Sequence, residues 1–224
     1  MIDPEKSVAS LVLERSECAS VLQRHRIDYC CRGELSLRAA CERVGMDLAA
    51  LTAELERAIA ERRGPAGPDP RALSPSELVE YIVERHHEYL REALPFVQAL
   101  AAKVSRVHGD SEPRLRALDG EVQSLASTLL PHLDEEESTL FPALTAQAVD
   151  AGAARRELGK MKEEHLAVGD LLARIRTTTE DFRTPEWACN SYRTLFAELE
   201  QLEGDVLRHV HLENHVLMPR FVAA

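Results

Sequence analysis

Six residues have side-chain types and spacings that could bind metal: His87, His132, Glu136, His165, His209 and Glu213. Two pairs repeat one pattern, His-x3-Glu-x3-Leu-x-Pro, once from His132 to Pro142 and again from His209 to Pro219. A spacing of four puts both groups on one helix face, about one turn apart. Imidazole suits zinc, copper, iron and nickel, whereas carboxylates are harder oxygen donors that can bridge two metals in a bundle core. Four imidazoles and two carboxylates exceed what one tetrahedral zinc uses. They suit two metals, with a pair of irons as the best fit, each ion taking two histidines and a share of both carboxylates. Taken singly, a histidine on an apolar face is usually a hydrogen-bonded core residue, and a single His-x3-Glu is usually a helix side-chain pair. The joint occurrence favours metal.

The elements that must position these groups are helices whose apolar seams recur in steps of three and four. One seam runs Leu115, Leu118, Val122, Leu125, Leu129, His132 and Glu136. Another runs Leu158, Met161, His165, Val168, Leu172 and Ile175, and a third runs Leu195, Leu199, Leu202, Val206, His209, Glu213 and Val216. The histidines and glutamates thus replace apolar residues in register, and a buried imidazole or carboxylate is costly without a partner. In the first long helix the register is open. His87 fits a series through Leu90, Leu94 and Val97, and His86 fits a competing one through Val79, Leu90, Ala93 and Val97. Pro131 falls inside a predicted helix just before His132, where a kink or bulge is expected. His211 and His215 flank the seam, which suggests surface or supporting roles. His25 and His108 are expected to face solvent; Asp134, Glu135 and Glu137 are expected to form a solvated face, with a carboxylate route for metal entry as the alternative.

The fold class is all-α: an up-down four-helix bundle preceded by a small helical domain. The expected boundaries are 1–62 for the small domain, 63–73 for a linker and 74–224 for the bundle. The segment RGPAGPDPRAL, from Arg63 to Leu73, has three prolines and two glycines and cannot continue a helix. Ser74-Pro75-Ser76-Glu77 reads as a capping box that opens the bundle. Its helices are predicted to run to about Val107, from Arg114 to Leu140, from Ala153 to Ile175, and from Thr184 to Met218. The small domain reads as three helices: Ser7 to His25, a short one capped by Ser36, and one capped by Asp47. Between the first two lies a loop with Cys30 and Cys31.

Composition agrees with this architecture. Of 224 residues, 45% are hydrophobic and only 4% aromatic, a balance that supports helices over sheet. The net charge of −11 argues against nucleic acid and anionic membrane surfaces as partners. No stretch approaches the roughly 20 apolar residues of a membrane span. The start, MIDPEKS, lacks a signal-peptide layout. An odd count of five cysteines reads as thiols rather than a disulfide framework. The expected location is the cytoplasm.

The stretches RHHEYLREALP, HLDEEESTLFP, the EEH ending at His165, and HVHLENHVLMPRF resemble a hemerythrin-like bundle. With DYCCRG and SLRAAC in the small domain, nearly the whole chain resembles the Repair of Iron Centres family of di-iron proteins. The resemblance selects His87 over His86 and implies metal ligation by His87, His132, Glu136, His165, His209 and Glu213. It also implies two non-haem iron ions with an oxo or hydroxo bridge, and glutamates 136 and 213 bridging them. Oxygen-carrying hemerythrins have a further histidine four residues after the third-helix ligand. That position here is Gly169, which implies more open, labile iron. The implied function is repair of iron–sulfur clusters damaged by nitric oxide or oxidative stress, by supplying iron to damaged iron–sulfur proteins. Cys30 and Cys31 would act as redox or transfer thiols. The alternatives are a nitric oxide-reducing enzyme and a gas or redox sensor, with nitric oxide or oxygen species as small ligands. A homodimer is compatible with either.

Overall fold

The computed structural model describes residues 2–62, 69–146 and 150–222. Positions 63–68 of the expected linker lie outside the described residues. The structure is all-α, and its residues form two compact units: 1–78 with 207–224, and 79–206.

In the first unit, α1 (Val8–Glu14), α2 (Cys18–Arg24), α3 (Leu37–Val44) and α4 (Leu48–Ala60) replace the three helices expected. The predicted single helix from Ser7 to His25 breaks at Arg15, where the backbone leaves helical geometry. No proline or glycine marks the break, so it follows from packing: Leu11, Val12, Cys18 and Leu22 are all buried on either side of it. Ser36 and Asp47 cap α3 and α4 as expected, accepting from the backbone N–H of Ala39 (3.2 Å) and Ala49 (2.7 Å). α3 ends at Gly45 with φ 69°, a left-handed stop that glycine adopts without strain.

The dicysteine loop closes over the start of α1. The N–H groups of Val8 and Ala9, which lack helical acceptors, donate to the carbonyls of Leu35 and Gly33 at 2.9 Å. A Cβ at Gly33 would sit 2.4 Å from the Tyr29 carbonyl oxygen and 2.6 Å from the Ala9 Cβ, so only glycine fits there.

The second unit contains the four-helix bundle. Ser74 and Glu77, just ahead of it, form the reciprocal capping box (2.8 and 3.3 Å) that starts α5 (Pro75–Ile82). A π-helical turn, Val83–His87, leads into α6 (Glu88–His108). α7 (Arg114–Glu135) continues through a second π-turn, Glu136–Leu140, into α8 (Phe141–Thr145). α9 covers Ala151–Thr178 and α10 covers Asn190–Leu212. A third π-turn, Glu213–Leu217, and α11 (Pro219–Val222) close the chain within the first unit. The predicted apolar seams of α6, α7, α9 and α10 are buried throughout.

Two expectations need correction. α7 passes through Pro131 without changing type, and the widened turn comes after His132, at Glu136. α10 starts at Asn190 rather than near Thr184, because the Arg193 side chain binds the carbonyls of Ala188 (3.0 Å), Glu186 (2.6 Å) and Pro185 (3.4 Å) and holds that segment as a turn.

Candidate metal centre

The repeated motif has a structural meaning. Each π-turn begins at its glutamate and ends at its leucine, and the proline stands two residues further on. Proline has no N–H for the carbonyl four residues back and crowds it, which favours a wider turn just ahead. The ladder is re-satisfied one residue further along: Phe141 N–H donates to the Glu136 carbonyl, and Met218 N–H to that of Glu213 (2.8 Å). The remaining π-turn, Val83–His87, ends at His87. Widened turns therefore coincide with three of the six predicted ligand positions, His87, Glu136 and Glu213, all of them buried.

Within the bundle unit, Glu136 stands between three imidazoles. Its Oε2 lies 3.5 Å from His87 Nε2. Its Oε1 lies 3.2 Å from His132 Nε2 and 3.9 Å from His165 Nε2. All four side chains are buried, with residue exposures of 0 to 4%. One carboxylate oxygen thus faces one histidine and the other oxygen faces two, as a carboxylate shared between two metal positions would. His132 and His165 meet edge to face at 5.1 Å between ring centres. His86, the competing position, is buried but turned elsewhere, with Nδ1 3.0 Å from Asp205 Oδ1.

The far ring nitrogens are also engaged. His87 Nδ1 lies 2.9 Å from Glu137 Oε1, and His132 Nδ1 lies 2.8 Å from Glu164 Oε2. An imidazole that offers Nε2 to a metal carries its proton on Nδ1, and a carboxylate there fixes that tautomer. Partial burial acts to raise the Glu137 pKa. The bonds from His87 and Arg91 outweigh it and leave the carboxyl below its ordinary value. Sequence reasoning assigned Glu137 to a solvated face and did not single out Glu164. Each adjoins a predicted ligand in the chain, one step off the seam, and a glutamate is long enough to reach back. That adjacency was the available signal.

In the first unit, His209 and Glu213 are both fully buried, with His209 Nε2 2.9 Å from Glu213 Oε1. The neighbouring residues anchor the dicysteine loop. His211 Nδ1 lies 3.0 Å from the Tyr29 carbonyl oxygen, and His215 Nε2 lies 2.7 Å from that of Cys30. Asn214 donates to the Cys30 carbonyl at 3.1 Å. His211 is buried, not on the surface, and its pKa falls to about 4, chiefly through burial and then through repulsion by His215. At the loop, Asp28 Oδ1 accepts from the N–H groups of Cys30 (3.0 Å) and Cys31 (2.8 Å). The two sulfurs are 3.6 Å apart. The Cys30 thiol is pushed well above its ordinary pKa, first by its bond with Cys31 and then by burial.

The donor set fits metal on chemistry alone. Buried imidazoles converge through Nε2 on one carboxylate while the Nδ1 atoms of His87 and His132 are held from behind, which is the arrangement of a ligand shell. Residues 78–221 match the Hemerythrin HHE cation binding domain, and residues 4–59 match a domain of unknown function, DUF542. The chain belongs to the hemerythrin-like Repair of Iron Centres family. Its relatives include the iron–sulfur cluster repair protein YtfE of Yersinia pseudotuberculosis serotype O:1b, 32% identical over 96% of both chains. The same protein of Yersinia pestis strain Pestoides F is 31% identical over the same shares. Family and donor set together give a hemerythrin-type centre for two non-haem irons. At the fourth residue after His165 this family member carries Gly169, which brings no donor. Among the described residues no helix is long and apolar enough to cross a membrane.

Proposed function

We propose that this chain repairs iron–sulfur clusters damaged by nitric oxide or oxidative stress, and that it does so by supplying iron. The ligands in this reading are His87, His132, Glu136, His165, His209 and Glu213, with Glu136 and Glu213 shared between the two ions. The observation that carries it is the placement of Glu136, with one oxygen toward His87 and the other toward His132 and His165. Further support comes from the HHE match, which spans all six positions, and from relatives whose names specify cluster repair. Bound iron supplies an exchangeable, redox-active metal. The protein's own groups hold it: histidines donate neutral nitrogens, Glu136 neutralises charge at both positions, and Glu137 and Glu164 fix the imidazole tautomers.

In this reading residues 1–62 are a thiol module, 63–73 a linker and 74–224 the iron-binding bundle. Cys30 and Cys31 meet the client or its iron. The clients are proteins with damaged iron–sulfur clusters, and the compartment is the cytoplasm, whose reducing poise suits five cysteine thiols.

The test uses iron-loaded protein, without oxygen, added to an iron–sulfur dehydratase inactivated by nitric oxide. Return of dehydratase activity with matching loss of iron from this protein is expected. Cys30→Ala with Cys31→Ala should keep the iron and lose the repair. Sustained consumption of nitric oxide with no transfer of iron would replace the reading by the nitric oxide reductase one.

A further inference from the structure

Two chains of polar contacts lead outward from the centre, and they are not equivalent. Behind His87, Glu137 Oε1 takes both His87 Nδ1 and Arg91 Nη2 at 2.9 Å. Arg91 Nη1 lies 2.7 Å from Asp134, so one planar guanidinium clamps two carboxylates. His87 itself is fully buried and stacks on Phe141, with ring centres 5.6 Å apart and planes at 25°. Behind His132, Glu164 Oε2 takes Nδ1 at 2.8 Å, while its Oε1 faces Lys160 Nζ at 3.7 Å, beyond hydrogen-bond reach. Lys160 is closer to Glu135, and its side chain is 51% exposed. An ammonium on a flexible stem holds a carboxylate less firmly than a guanidinium fork does.

The second difference is access. A narrow crevice of about 10 Å³ reaches His132 and Glu136, and Glu135, Lys160 and Glu164 stand in its walls. The Glu136 oxygen that faces His132 and His165 is therefore on the side of the less firmly held carboxylate and of the crevice.

We infer that the two metal positions are unequally held, and that the one on the His132 and His165 side of Glu136 is the exchangeable one. Glu137 and Glu164 are the positioning residues that set the difference. The inference rests on the two-iron reading and deepens it: it names which ion is given away. The ion on the His87 side stays as the anchor. The mouth through which the other leaves is lined with carboxylates, and its Lys160 must swing aside.

The test is release of iron from reduced, 57Fe-loaded protein to excess ferrozine without oxygen, followed by absorbance, with Mössbauer spectra at half release. Two phases of equal amplitude are expected, and the half-depleted sample should show one remaining environment. Glu164→Gln should speed the fast phase about tenfold or more and spare the slow one, in line with the usual 10- to 100-fold effect of a lost supporting partner. Glu137→Gln should speed the slow phase, and Glu164→Asp should return the fast phase toward wild type. Single-phase release from the wild type, with half-depleted protein retaining both environments, would overturn the inference without recourse to variants. So would acceleration of the fast phase by Glu137→Gln alone. A protein that binds no iron at all would instead remove the proposed function, which separates the two failures.

Discussion

Two of the buried polar sites in the bundle are organised in opposite ways. At one, Arg176 on α9 meets Glu203 on α10 through Nε at 2.8 Å and through Nη2, a two-point fork. Asp181 adds a contact at 3.2 Å, and Phe182 covers the guanidinium at 4.8 Å. Here the charges answer one another. At the other, three imidazole Nε2 atoms face a single carboxylate, and the supporting carboxylates sit behind the rings. Burial of charge does not distinguish a structural site from a metal site. Direction does: the first set is closed on itself, while the second leaves its best donors aimed at a common point.

Substitutions should separate the two. Arg176→Ala leaves a buried carboxylate without its partner and should cost about 3–5 kcal/mol of stability, the typical loss for a broken buried pair. Denaturant unfolding should show it equally with and without iron. Glu136→Ala should cost at least one iron, read by metal analysis, while far-ultraviolet circular dichroism stays helical and the metal-free unfolding midpoint moves far less than for Arg176→Ala. Retention of both irons would end the shared-carboxylate assignment.

Metal removal makes the same cut without mutation. Chelation should increase amide exchange in the π-turns Val83–His87 and Glu136–Leu140, which carry ligand positions, and leave α9 around Arg176 unchanged. A smaller effect concerns the thiols. Cys30 is buried with a raised pKa and Cys31 is half-buried, so iodoacetamide near pH 8 should modify Cys31 before Cys30. Mass spectrometry of the partly labelled protein reads the order, and equal rates would contradict it.

Periodicity made the seams legible, because burial of one helix face is a repeating demand that leaves a repeating trace. His132, Glu136 and His165 could be read that way. His86 and His87 could not be separated, since both are buried and only the direction of each ring distinguishes them. The π-turns had a trace in Pro142 and Pro219, which the periodic reading treated as ends rather than as causes. The break at Arg15 and the late start of α10 had none: the first depends on packing and the second on Arg193 reaching back to three carbonyls. Glu137 and Glu164 were hidden for a simpler reason. They lie off the seam, and seam reading ignores a side chain long enough to return to it.

The most direct measurement is iron content with Mössbauer spectra of protein purified without oxygen, before and after nitric oxide. The account predicts about two irons per chain, magnetically coupled, with spectra altered or iron lost on exposure. One zinc per chain, or no metal, would contradict it and return the six residues to a structural role.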